Sequence, residues 1–142
     1  MPTAPLIKYN ALVDEMSSGG HNLKTAVLKA ALTNTAPSVA DTVWSAATYP
    51  PPAAANGYTA GGNTLTTTSA ATSGGVFTLV LADSVFTATA GGIGPFRYVV
   101  VYNSSAANKL VGFVDYGSGV TLPAAGDFTV DFDPVTGALT IA

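Results

Sequence analysis

Apolar and polar positions change their spacing once along this chain. Near the start, in YNALVDEMSSGGHNL, Leu12, Val13 and Met16 recur at three- and four-residue intervals, on one face of a helix. Asn10 is a suitable cap, Asp14 and Glu15 fall in the early turns, and Gly19–Gly20 stop the pattern. The spacing predicts a short helix over Asn10–Ser18. Beyond it the period falls to two. In KTAVLKAALTN (24–34), Val27, Lys29, Ala31 and Thr33 alternate with Leu28, Ala30 and Leu32, which reads as a strand; residue propensity alone also allows a helix. From residue 64 onward TLTTTSA, GVFTLVLAD, SVFTATA, FRYVVVYN, KLVGFVDYG, DFTVDFDP and ALTIA are short β-branched or aromatic runs separated by Gly, Asn, Asp, Ser and Pro. YNSSAANKLV predicts a hairpin with its loop at Ser104–Asn108, and DPVTGALT a tight connection into the last strand. DFTVDFD is one-sided, with Phe128, Val130 and Phe132 inward and Thr129, Asp131 and Asp133 outward.

FRYVVVYN breaks that one-sided rule. As a strand it turns Phe96, Tyr98, Val100 and Tyr102 to one face and Arg97, Val99, Val101 and Asn103 to the other, so both faces are largely apolar. Something must cover the second face. One candidate is a second subunit, the other the irregular segment 34–64. In that segment Pro50–Pro52 favours an extended conformation, and Asn56–Gly57 and Gly61–Gly62 mark turns. It reads as a long loop or arm with Trp44 and Tyr49 as anchors, unless Trp44 plugs the chain's own core. Arg97, Val99, Val101, Trp44 and Tyr49 are therefore the candidate contact residues. Arg97, the only arginine, suits a bidentate pair with a carboxylate, either across such a contact or within the chain on Asp115.

The expected fold is all-β: a single jelly-roll-like β-sandwich spanning 1–142, with a 1–24 N-terminal segment carrying the short helix and a 34–64 arm. No repeat of 20–50 residues is visible, which removes solenoids and propellers.

Composition narrows the function. Charged residues make up 9% of the chain, against about 25% in ordinary soluble domains. The formal net charge of −3 argues against nucleic acid, which rewards a basic face. A surface so poor in charge suits a subunit packed against other proteins, where charge costs desolvation; a neutral Thr/Ser-coated monomer is the plainer reading. Apolar runs fall short of the roughly 18 residues that suggest a membrane span. Met1–Pro5 (MPTAP) is not the opening of a secretory signal. Without cysteine there are no disulfides and no thiolate ligands.

Candidate chemistry is sparse. His21 is the only histidine, has no G-x-S-x-G elbow to serve, and follows two glycines where an imidazole can satisfy a helix end. One His and no Cys do not make a zinc site. Asp131 and Asp133 share a strand face near Asp127, but the spacing is not that of a calcium loop, and a solvated strand face explains them better. Glu15, Asp83 and Asp115 are not spaced as a glycosidase pair. GGIGPF lacks the phosphate-loop lysine, so its glycines read as a turn or bulge and Pro95 as a strand start. Tyr58, Tyr98, Tyr102 and Tyr116 offer stacking surface for a glycan if exposed; half-buried packing is commoner. No catalytic residue, metal or cofactor is expected.

The segments YNALVDEM, HNLKTAVLKAALTNTAP, NGYTAGGNTLT, LVLADSVFTATAGGIGPFRYVVVYN, FVDYGSGVTL and GDFTVDFDPVTGALTIA together resemble a family of small structural proteins of tailed bacteriophages and prophages. The resemblance runs over nearly the whole chain and is weakest at 38–55. It implies a virion protein, by similarity to jelly-roll cement proteins a capsid decoration subunit on the outer head surface, assembled in the host cytoplasm. The implied partners are the major capsid protein and further copies in a homodimer or homotrimer, with no nucleic acid or membrane. A tail- or fibre-associated domain recognising a host surface glycan is the alternative role.

Overall fold

A computed structural model describes residues 5–53 and 55–142. Helix α1 occupies Asn10–Ser18, and its nine residues match the predicted span. Its cap differs: Tyr9, not Asn10, stands at the N-cap and gives no side-chain hydrogen bond, while Gly19 closes the other end in the left-handed conformation. Leu12 is the helix residue driven fully into the core.

The strands of the described residues are antiparallel and form three sheets, with an irregular segment at 34–62. The largest has the order β1 (Ile7–Lys8), β8 (Lys109–Leu122), β7 (Ile93–Asn103), β2 (Leu28–Thr33), β3 (Asn63–Thr64). A second sheet joins β10 (Leu139–Ile141), β5 (Val76–Leu81) and β4 (Thr67–Ser73), and a third pairs β6 (Ser84–Thr87) with β9 (Asp127–Val130). The strand reading of KTAVLKAALTN therefore holds, and β2 pairs with β7 from Leu28↔Asn103 to Thr33↔Tyr98.

One apolar cluster draws on all three sheets. Leu28, Ala30, Leu32, Val99, Val101 and Val111 come from the large sheet, Leu79 and Leu81 from the second, and Phe86, Phe128 and Val130 from the third. Phe128, Val130 and Phe132 point inward as their alternation predicts. Phe96 and Phe128 meet edge-on at 4.8 Å, the geometry favoured by the ring quadrupoles. The face expected for Phe96 is corrected here. The ladder between β7 and β8 changes register between Phe96 and Tyr98, with Phe96 opposite Val120 and Tyr98 opposite Asp115. That irregularity releases Phe96 from strict alternation, and it joins Val99 and Val101 in the main core rather than Tyr98 on the other face. Pro95 does not open the strand; it lies inside β7, between the paired residues Ile93 and Phe96, where the ladder is irregular.

Phe128 is 1% exposed and receives ring contacts from both Phe96 and Tyr116. Phe128→Ala is expected to lower the unfolding free energy by about 3–5 kcal/mol, read from urea denaturation; a loss within that of a surface substitution would mean the three sheets do not share this core.

Candidate interaction surface

The question raised by a strand apolar on both faces has a local answer. Val99 and Val101 lie in the main core, and the opposite face of β7 presents Tyr98, Val100 and Tyr102 to a second cluster with Tyr9, Ala31, Tyr49, Leu110 and Phe113. The segment following β2 supplies the cover. It turns back over the sheet, bonds Trp44 N to Asn108 O (2.8 Å) and receives Leu110 N on Thr42 O (3.0 Å). Val39 O accepts from Asn10 N at 2.9 Å, which ties the start of α1 to the same segment. Thr33 Oγ1 donates to Pro50 O at 3.0 Å, fixing the segment's far part to the end of β2.

Its two aromatic residues are held differently. Trp44 stacks flat on Tyr102, with ring centroids 4.5 Å apart and planes 4° from parallel. Tyr49 is buried and donates its hydroxyl proton to Asp41 while accepting from the Tyr9 hydroxyl at 3.3 Å. Burial and then the Asp41 carboxylate push the Tyr49 pKa up to about 12, since a second negative charge there is disfavoured. Tyr102 is likewise raised to about 12 by burial, and its hydroxyl donates to Gly61 O at 2.7 Å. The return of the arm into β3 passes so close to β2 that a Cβ on Gly62 would collide with the Ala30 carbonyl oxygen, and Gly62 also has φ +82°.

The predicted contact residues thus separate. Val99 and Val101 are 0% exposed and have no surface to offer a partner, because the main core claims them. Tyr49 anchors the arm to its own sheet, and Trp44 is half-buried on Tyr102. Arg97 makes a bidentate pair within the chain, Nε to Asp115 Oδ1 at 2.7 Å and Nη2 to Oδ2 at 3.0 Å, and its guanidinium also stands 5.2 Å from the Tyr98 ring centroid. The Arg97 guanidinium, with help from the Gly117 N–H, holds the Asp115 carboxyl below the usual carboxylate range. Both side chains remain about a third exposed, so the pair is a half-solvated clasp on the β7–β8 ladder. The tyrosines named for glycan stacking are turned inward: Tyr58, Tyr98 and Tyr102 are buried, and Tyr116 packs edge-on against Phe128.

Sequence reasoning missed a polar cluster beneath the end of α1. Glu15 forms an ion pair with Lys109, and a Cβ on the neighbouring Gly20 would push the ends of both side chains aside. His21 is buried with Nδ1 3.1 Å from Asn103 Nδ2. The Asn103 amide donates, because its oxygen already accepts from Ser105 Oγ (2.6 Å) and Ser105 N (3.1 Å), so the neutral imidazole keeps its proton on Nε2. Ser105 therefore meets the asparagine and not the imidazole, and the arrangement closes the Ser104–Asn108 loop against α1. Burial keeps the His21 pKa below the ordinary imidazole value, against smaller opposing contributions from the Leu110 backbone and Glu15. Only the Gly-Gly-His ending of the helix hinted at this; Lys109 and Asn103 are remote in sequence.

The aspartates near the C-terminus do not converge. Asp133 accepts from Val135 N at 2.7 Å and Thr136 N at 3.0 Å, initiating the tight connection predicted there. Asp83 Oδ1 accepts from Phe132 N at 2.9 Å. Among the described residues no three His, Cys, Asp or Glu side chains are grouped to hold a metal.

No family model, curated protein or solved structure matches this chain.

Two outcomes test the docked arm and the polar cluster. Tyr49→Phe removes the hydroxyl joining Tyr9 to Asp41 and is expected to cost about 1–3 kcal/mol; amide exchange at Trp44 and Leu110 should quicken together, and unchanged protection there would show an arm held by other contacts. His21 binds its proton more weakly folded than unfolded. Stability should then rise with pH from the depressed folded pKa up to the unfolded value of about 6.5 and level off above it. Urea midpoints from about pH 5 to about pH 8 should show that slope in the wild type and a flatter profile in His21→Gln.

Proposed function

We propose that this protein is a non-enzymatic virion structural subunit of a tailed bacteriophage, a decoration or cement protein that binds the outer surface of the capsid and bridges its subunits. In this reading the three sheets stack as a two-layered, jelly-roll-like β-sandwich. The partners are the major capsid protein and other copies of the chain, as a homodimer or homotrimer.

The observation that carries the reading is the uncharged middle of the chain. Residues 42–82, from within the arm through β5, contain no Asp, Glu, Lys, Arg or His. Where the arm is exposed it presents Val39, at 42%, and Val43, at 46%, and its one carboxylate, Asp41, is engaged by Tyr49. A surface of this kind gives up few strongly hydrated groups when it meets another protein, so many weak contacts add without a large desolvation penalty. Repetition on a symmetric shell multiplies such contacts through effective concentration. A chain whose own arm already covers the outer face of β7 also reaches its partner folded, with little ordering entropy left to lose.

The test is addition of the purified protein to expanded capsids stripped of their decoration. Saturable binding at a fixed number of copies per capsomer, with a higher temperature of DNA release, is expected. Binding confined to tails or fibres, or to a host glycan, would replace the head assignment with the tail role.

A further inference from the structure

Among the described residues six strands lie at a sheet edge: β1, β3, β4, β6, β9 and β10. Five of them are short, with two residues in β1 and β3, three in β10, and four in β6 and β9. Short edges give an incoming strand little ladder to extend. At β6, Asn63 also occupies polar groups, donating to the buried Ser84 Oγ at 3.1 Å and to Val85 O at 2.9 Å.

β4 is different. It has seven residues, pairs only with β5, and among the described residues has no strand on its other side. From Thr68 to Ser73 every residue except Ala70 is exposed. At the hairpin tip, Gly74 and Gly75 have open space where a Cβ would stand. Nor does this edge carry the usual protections. It contains no charged residue and no proline, and its one register shift lies at the start, between Thr67 and Ser69.

We infer that β4 is a self-association edge: two copies pair their β4 strands antiparallel about a two-fold axis, joining two three-stranded sheets into one of six strands. A row of unpaired backbone donors and acceptors accepts another extended strand, and the side chains decide which one. Here they favour the same strand. The strand itself offers no countercharge, and the charged side chains near its ends are of both signs, Lys24 by Thr72 and Asp83 and Asp131 by Thr68. Neither an acidic nor a basic strand is therefore favoured, whereas a second β4 brings no charge, because residues 42–82 have none. The order Thr-Ser-Ala-Ala-Thr-Ser at 68–73 also fits itself. A two-fold axis perpendicular to the sheet keeps each side chain on its face, so pairing centres on a residue. Centred on Ala70, Ser69 opposes Ala71 and Thr68 opposes Thr72; centred on Ala71, Ser69 opposes Ser73 and Ala70 opposes Thr72. Either register sets only small and hydroxyl side chains against each other.

The pairing concerns how copies join and stands apart from what they coat. Sedimentation of the full chain from low micromolar to near-millimolar concentration should show a reversible dimer. Ser69→Lys/Ala71→Lys and Ser69→Glu/Ala71→Glu change only exposed positions, and each should weaken the dimer at least about tenfold with far-ultraviolet dichroism unchanged. Mixing the two variants in equal amounts should restore it as a heterodimer. In the wild type, amides of residues 69–73 should gain exchange protection as concentration rises. A wild-type monomer across the range, variants that dimerise as the parent does, or protection independent of concentration would each overturn the inference.

Discussion

Strand β7 must lose water on both faces, and the rest of the chain is arranged around that demand. A strand with valine and phenylalanine on one side and tyrosine and valine on the other leaves a large apolar area exposed unless a layer lies on each side. The main core, drawn from all three sheets, covers the first side. The arm covers the second by laying Tyr49 and Trp44 over Tyr98, Val100 and Tyr102. The long irregular segment is thus a structural layer without regular strands, and its backbone groups find partners in α1, the start of β8 with the loop before it, and the Thr33 hydroxyl of β2.

The polar groups serve the same end. Tyrosine suits the covered face because its ring buries apolar area while its hydroxyl reaches an acceptor, and Tyr9, Tyr49 and Tyr102 all find one. Charges are used sparingly, and two oppositely charged pairs act as clasps. Arg97 with Asp115 spans β7 and β8, and Lys109 with Glu15 joins β8 to the helix. Truncating one partner would leave the other with fewer ways to be satisfied, more so for the less exposed Lys109–Glu15 pair.

A module built this way carries few charges on its surface, which is the feature the proposed structural role rests on. The uncharged middle of the chain does two jobs: it covers β7 from outside, and it supplies β4, which among the described residues is the one long edge at which a sheet stops without a partner.

Local periodicity was enough to place α1, β2 and most later strands, because spacings of 3.6 and 2 residues are written into neighbouring side chains. It also revealed that β7 needed cover on two sides. It located the Ser104–Asn108 hairpin and the turn begun by Asp133, where the chemistry is local. Tertiary structure alone decided what supplied the cover. The choice between the arm and a second subunit depends on where residues 34–62 travel, and that path is set by contacts between residues far apart in the chain. The same holds for Phe96, whose face was reversed by a register shift against β8, and for Asn103, Lys109 and His21, brought together only when the hairpin closes on the helix. Alternation names the two faces of a strand, but only packing determines what each face meets.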